Sequence, residues 1–272
     1  MKAVSKSIIA CSIAAASMFG GVASAATFSD FTVNPTGNYS NFTADKITGN
    51  YVEVATFNDD NTFNVSLYWQ AGQFVANDGK SPLRNNVTGL DNAYSLYAVY
   101  TASGTVTRNG TATTFTFTEN TGNLSMFLDT NADSAVSFTP TTGSGAFQFS
   151  NSADDIRIAT GNPLSGQGTL DPSLSTCGQS NGINCGSFGS ETSFNLTEQG
   201  KNFFIAPNPF YTLSFQSGQL NNFDPTGTQI INGSLDVVFS APGEVPEPAS
   251  VGLLGLGMLG LYAARRRNKK AA

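Results

Sequence analysis

Apolar and polar residues alternate with a period of two along much of this chain. The runs are 51–54 (YVEV), 113–118 (TTFTFT), 136–139 (VSFT), 147–149 (FQF), 211–215 (YTLSF) and 235–239 (LDVVF). Side chains along a strand point to opposite faces in turn, so each run predicts a half-buried strand with one face in a core. Residues 94–100 (YSLYAVY) alternate in the same way and predict a core strand. Asn109-Gly110, between residues 104–107 and 113–118, predicts a hairpin, because both residue types tolerate positive φ. Segments 58–61, 77–86, 139–145 and 161–193 read as loops by composition. The last is rich in Gly, Ser and Asn and long enough to be a functional excursion. No helix is predicted in the body, and no repeat of solenoid or propeller period is present. The expected architecture is all-β: a single β-sandwich, jelly-roll-like, over residues 26–240.

The two ends break this pattern. Lys2 and Lys6 precede an apolar stretch at 8–16, and Ala23-Ser24-Ala25 offers small residues before Ala26. These are the three parts of a secretory signal peptide, over residues 1–25, with cleavage expected between Ala25 and Ala26. At the other end, a linker at 241–245 leads to Val245-Pro246-Glu247-Pro248 and then to an uncharged apolar stretch at 249–264. Arg265, Arg266, Arg267, Lys269 and Lys270 follow. The apolar stretch falls just short of the roughly 17 to 25 residues of a spanning helix, a deficit that bilayer thinning or snorkelling flanks accommodate. The basic cluster belongs on the cytoplasmic side. Residues 246–270 thus predict a transient inner-membrane anchor with the N-terminus outside.

The order of signal peptide, secreted body, Pro-Glu-Pro, short apolar helix and arginine cluster resembles the PEP-CTERM family of bacterial exported proteins. That resemblance implies an exosortase as partner, which removes the helix, and an association with exopolysaccharide production. Residues 42–49 (FTADKITG), 51–57 (YVEVATF) and 69–74 (WQAGQF) resemble the flocculation-associated subgroup of that family. This second likeness implies a role in floc or biofilm formation, with extracellular polysaccharide as the partner.

Charge narrows the partners further. The chain has no histidine, and its charged fraction is 12%. Between residues 26 and 264, six cations stand against nineteen carboxylates, a formal charge of −13. Such a body stays soluble and repels nucleic acid, so no nucleic-acid partner is expected. Gly-x-Ser-x-Gly elbows and phosphate loops are missing along with histidine, so no catalytic residue is assigned and the protein is expected not to be an enzyme. The adjacent carboxylates Asp59-Asp60 and Asp154-Asp155 read as turn residues. Three classes remain for the body: a matrix scaffold, a lectin-like carbohydrate-binding module and, with least support, a secreted glycoside-active enzyme. For the module, Trp69 is the candidate sugar contact, with Tyr68, Tyr94, Tyr97 and Tyr100 as further aromatic faces.

Cys177 and Cys185, with seven residues between them in a Gly- and Asn-rich segment, predict a disulfide in an exported chain. Two thiolates without histidine fall short of a zinc site. Asp129, Asn131 and Asp133 are the one weak metal candidate, because oxygen side chains at alternate positions recur in calcium loops. Ser134 stands where an EF-hand loop requires Gly, and Pro140 where it requires the bidentate Glu. A turn between strands is the simpler reading, and no cofactor is expected.

Overall fold

The computed structural model describes residues 28–177 and 184–241. The expected signal peptide with Ala25 and Ala26, the sorting motif, the apolar segment at 249–264 and the basic cluster lie outside the described residues. Among the described residues, no helix is long and apolar enough to cross a membrane.

Strands β1 (Phe31–Val33), β2 (Phe42–Ala44), β3 (Lys46–Phe57), β4 (Thr62–Ala76) and β5 (Ser81–Pro82) precede a single-turn helix, α1 (Asn85–Thr88). Then come β6 (Ser95–Asn109), β7 (Ala112–Phe117), β8 (Leu124–Asp129), β9 (Ala135–Phe138), β10 (Gln148–Ser150), β11 (Ile156–Gly161), β12 (Pro163–Leu170), β13 (Gly186–Thr192) and β14 (Asn195–Leu196). Helix α2 (Glu198–Phe203) leads to β15 (Phe204–Ala206), β16 (Thr212–Ser217) and β17 (Gly227–Ser240). Helix α2 starts where Thr197 Oγ accepts the Gly200 N–H at 3.0 Å, with Glu198 in the first turn. Both helices are too short to show a period of their own, which is why the alternation alone predicts none.

The predicted sandwich is replaced by a closed barrel. Its eight antiparallel strands run β3-β4-β6-β7-β12-β13-β16-β17 and return to β3. Closure comes from β6, which pairs with β4 from Gln70↔Tyr97 to Thr62↔Thr105 on one edge. On its other edge the same strand meets β8 along its first half and β7 along its second. Alternation fixes which face is buried but not whether a sheet stacks on a second sheet or curls onto itself, so the two architectures share one sequence pattern. Strands β8, β11 and β14 extend the wall at one end.

The long segment expected as a loop at 161–193 supplies two wall strands, β12 and β13. Its apolar signal is weak because Gly166 and Gly168 occupy positions where neighbouring strands contribute the bulk. A methyl group at Gly166 would sit 2.9 Å from the Phe117 ring, and one at Gly168 would sit 3.0 Å from Phe188 Cβ. The hairpin between β6 and β7 forms as expected but turns one residue later. Asn109 pairs with Ala112, and Gly110 takes the first corner at φ +62°.

Trp69 lies inside the barrel with none of its surface exposed, and its Nε1–H donates to the Leu235 carbonyl at 2.9 Å. The expectation that it faces a sugar is therefore corrected: both ring faces are used in packing. Tyr94 and Tyr100 are likewise buried, with Tyr94 Oη donating to the Thr88 carbonyl at 3.0 Å. Tyr68 and Tyr97 lie on the outer face, beneath Phe147 and Phe149 at the β9–β10 hairpin. One barrel end is plugged by phenyl rings brought by the small sheet β15-β1-β2, where Phe31 and Phe204 pack edge-on against Phe239 of the wall. Gly49 makes room for Trp69, since a methyl group there would collide with the Gln70 carbonyl and the indole nitrogen. Gly49→Ala is expected to lower stability by about 1–3 kcal/mol through overpacking, read as a fall in denaturation midpoint with an unchanged m-value.

Candidate functional site: the lidded end of the barrel

Along β3 the inward positions run Ile47, Gly49, Tyr51, Glu53, Ala55 and Phe57, away from the plug. The series puts one carboxyl among rings. Glu53 is 8% exposed and lines a cavity of about 30 Å³ at the unplugged end, together with Phe57, Phe63, Phe115, Phe117, Phe188 and Phe223. That volume accommodates a water molecule or two. No cationic side chain belongs to the lining. Burial alone pushes the Glu53 carboxyl up to about 7.

The groups facing it are also polar and equally dry. The Tyr51 hydroxyl and Ser217 Oγ are buried without a hydrogen-bond partner among the described residues. Ser217 is nevertheless near enough to Tyr51 to ease its ionisation slightly, a small effect beside the upward push of burial and of the Glu53 charge. Deeper in the interior, the Tyr100 and Ser190 hydroxyls pair at 2.6 Å.

The segment 218–226, which joins β16 to β17, lies over this end. Phe223 stacks on Phe57 and Phe115, with centroids 6.0 and 6.1 Å apart. Leu220 is fastened from both sides, its carbonyl accepting from the Cys185 N–H at 2.9 Å and its N–H donating to the Gly186 carbonyl at 3.0 Å. The Arg108 guanidinium reaches the Pro225 carbonyl at 2.8 Å. The predicted disulfide is present between Cys177 and Cys185, so the staple holds the residue that anchors the lid.

The calcium candidate is rearranged. Asp129 is fully buried, and its carboxylate accepts from the N–H groups of Asn131 and Ser134 and from Ser95 Oγ. Carboxylate oxygens of Asp129, Asp154 and Asp155 come within 4.8 Å of one another, whereas Asp133 stands outside this group. Asn131 Nδ2 donates to Asp154 at 2.8 Å rather than turning its oxygen inward. Asp155 accepts from Ser134 Oγ and from the Tyr97 hydroxyl, and burial raises its carboxyl. Three carboxylates offer oxygens to a hard cation, but each already accepts hydrogen bonds from neighbouring groups. Their bonds organise the loop after β8. Asp59-Asp60 is a turn as read from the sequence, with Asp60 Oδ1 accepting from Thr62 N–H and Oγ1.

Sequence reasoning did not single out Glu53. The signal was present in the alternation of 51–54, which places Tyr51 and Glu53 on one face. The assignment of that face to the core needed the neighbouring strands.

The geometry defines a closed eight-stranded barrel, plugged at one end and lidded over a carboxyl-bearing cavity at the other. Residues 244–267 match the PEP-CTERM protein-sorting motif, and this motif indicates an exosortase-processed surface protein exported by membrane-anchored sorting. No curated protein and no solved structure shows significant similarity to the chain.

Glu53 makes stability pH-dependent in a definite direction. A carboxyl whose folded value is raised binds more protons in the folded state, so its contribution is full below the unfolded value of 4.5 and is lost as pH rises to about 7. The loss amounts to about 3 kcal/mol. Glu53→Gln is expected to remove this slope, being more stable than the parent at pH 8 and similar to it at pH 4.5, as followed by thermal denaturation across that range.

Proposed function

We propose that the exported barrel is a non-enzymatic component of the extracellular polysaccharide matrix and supports floc or biofilm formation after exosortase has processed its tail. The observation that carries this reading is the sorting motif at residues 244–267, which delivers the body to the surface. The body's composition suits such a place. Outward positions on β3 and β17 include Thr48, Asn50, Thr56, Thr228, Asn232 and Ser234, a surface of hydroxyl and amide groups suited to many weak contacts with sugar hydroxyls. With Trp69 in the interior, the lectin-like alternative loses its aromatic platform, and a scaffold with distributed contacts becomes the favoured form of association.

Deletion of the gene is expected to disperse aggregating cells. Full-length protein is expected to restore aggregation, while a version ending at Glu244 is secreted without doing so. Normal aggregation in the deletion strain would remove the floc role and leave the sorting signal untouched. Purified protein is expected to release no reducing sugar from the producer's own polysaccharide, and release above a heat-denatured control would overturn the non-enzymatic reading.

A further inference from the structure

The lidded cavity has a chemical composition that names its ligand more closely than its size does. Two hydroxyls near Glu53, those of Tyr51 and Ser217, are buried without a hydrogen-bond partner among the described residues, and burial alone acts on the Glu53 carboxyl, with no neighbouring positive charge to offset it. Each buried polar group left unsatisfied costs on the order of 1–3 kcal/mol, more when charged. Six of the nine other lining residues are phenylalanines, and ring faces carry partial negative charge that attracts cations. An anion would be repelled by Glu53, and a neutral alcohol brings no charge to compensate it. A primary ammonium group carries three donors, no acceptor and one positive charge. It is the group that complements all of these features together.

We propose that the lidded end of the barrel binds small primary alkylammonium ions, with the ammonium head on Glu53 among the phenyl rings and the short alkyl chain directed toward the half-buried Phe117 and Phe188. The cavity of about 30 Å³ takes the head group alone, so the chain occupies the margin between Phe188 and the Phe223 lid. Glu53 supplies the charge, while the phenyl rings of the lining face the remaining N–H bonds of the head group. The ligand class is independent of the matrix role and follows from the interior alone.

The test is calorimetric titration of the exported protein at pH 8 with n-butylammonium, using n-butanol and butyrate as chain-matched controls. Butylammonium is expected to bind and raise the thermal midpoint, with neither control doing so. Glu53→Gln is expected to weaken binding at least tenfold, while Glu198→Gln, at an exposed surface pair with Lys201, leaves it unchanged. A second reading needs no variant. In the parent protein, affinity is expected to rise with pH up to about 7 and then level off, with proton release on binding below that pH. Equal binding of butanol or butyrate, retention of affinity in Glu53→Gln, or absence of butylammonium binding would each overturn the proposal. The last result would leave the cavity as a water site.

Discussion

The ladder between β4 and β6 is the interaction on which this molecule depends. Without it, the strands from β6 through β7, β12, β13, β16, β17 and β3 to β4 would form an open sheet with two long edges, each a row of unpaired peptide groups inviting another chain. With it, those eight strands enclose an interior just wide enough for side chains to fill. The filling is shared unevenly around the wall. Trp69 from β4 takes the space that Gly49 leaves on β3, and Phe115, Phe117 and Phe188 take the space left by Gly166 and Gly168 on β12. Large and small residues alternate around the circumference, and each glycine is required by the ring that lies over it.

The two ends of the enclosure are finished differently. At the plugged end, rings from β1 and β15 continue the aromatic core, and Phe31, Phe204 and Phe239 meet mostly edge to face. At the other end a loop does the covering, and loops lack the ladder that would hold them. This one is tied instead by single bonds: Leu220 to Cys185 and Gly186, and Pro225 to Arg108. The disulfide constrains the segment that presents the first of these ties, so its effect extends from the staple itself to the closure of the cavity.

How much of this was legible in the sequence varies with how each residue gets its environment. Strands whose own side chains fill the interior, such as β3, β7, β16 and β17, announced themselves by alternation. The disulfide did so by spacing and compartment. Strands β12 and β13 were hidden because Gly166, Gly168, Gly186 and Ser190 interrupt their inward faces, leaving Leu170 and Phe188 too isolated to mark a period-two pattern. Trp69 looked like a contact residue because exposure cannot be read from residue type, and amphipathic aromatics are equally at home inside a barrel. The acidic cluster joins Asp129 to Asp154 and Asp155 across the β9–β10 hairpin, a meeting that no local spacing encodes.

Glu53 shows how a barrel imposes cost on one residue for the benefit of the rest. Its position opposite Leu67 and Ile231 is fixed by two continuous ladders, and a one-residue slip of β3 would turn Tyr51, Ala55 and Phe57 out of the interior along with the carboxyl. Each of those side chains contributes burial that the register must keep, roughly 1.5–3 kcal/mol for a large apolar group. Their sum exceeds the roughly 3 kcal/mol that an ionised Glu53 takes away, so the strand stays in place and the carboxyl stays inside. A buried carboxyl at this site is therefore stable in position but unstable in charge. Protonation below about pH 7 relieves it, and so would any bound group able to bring a compensating positive charge. The surrounding wall gives neither, because the lining contains no lysine or arginine. The electrostatic state of this interior is thus set by what enters it, protons included, while the register that created it is set by the closed wall.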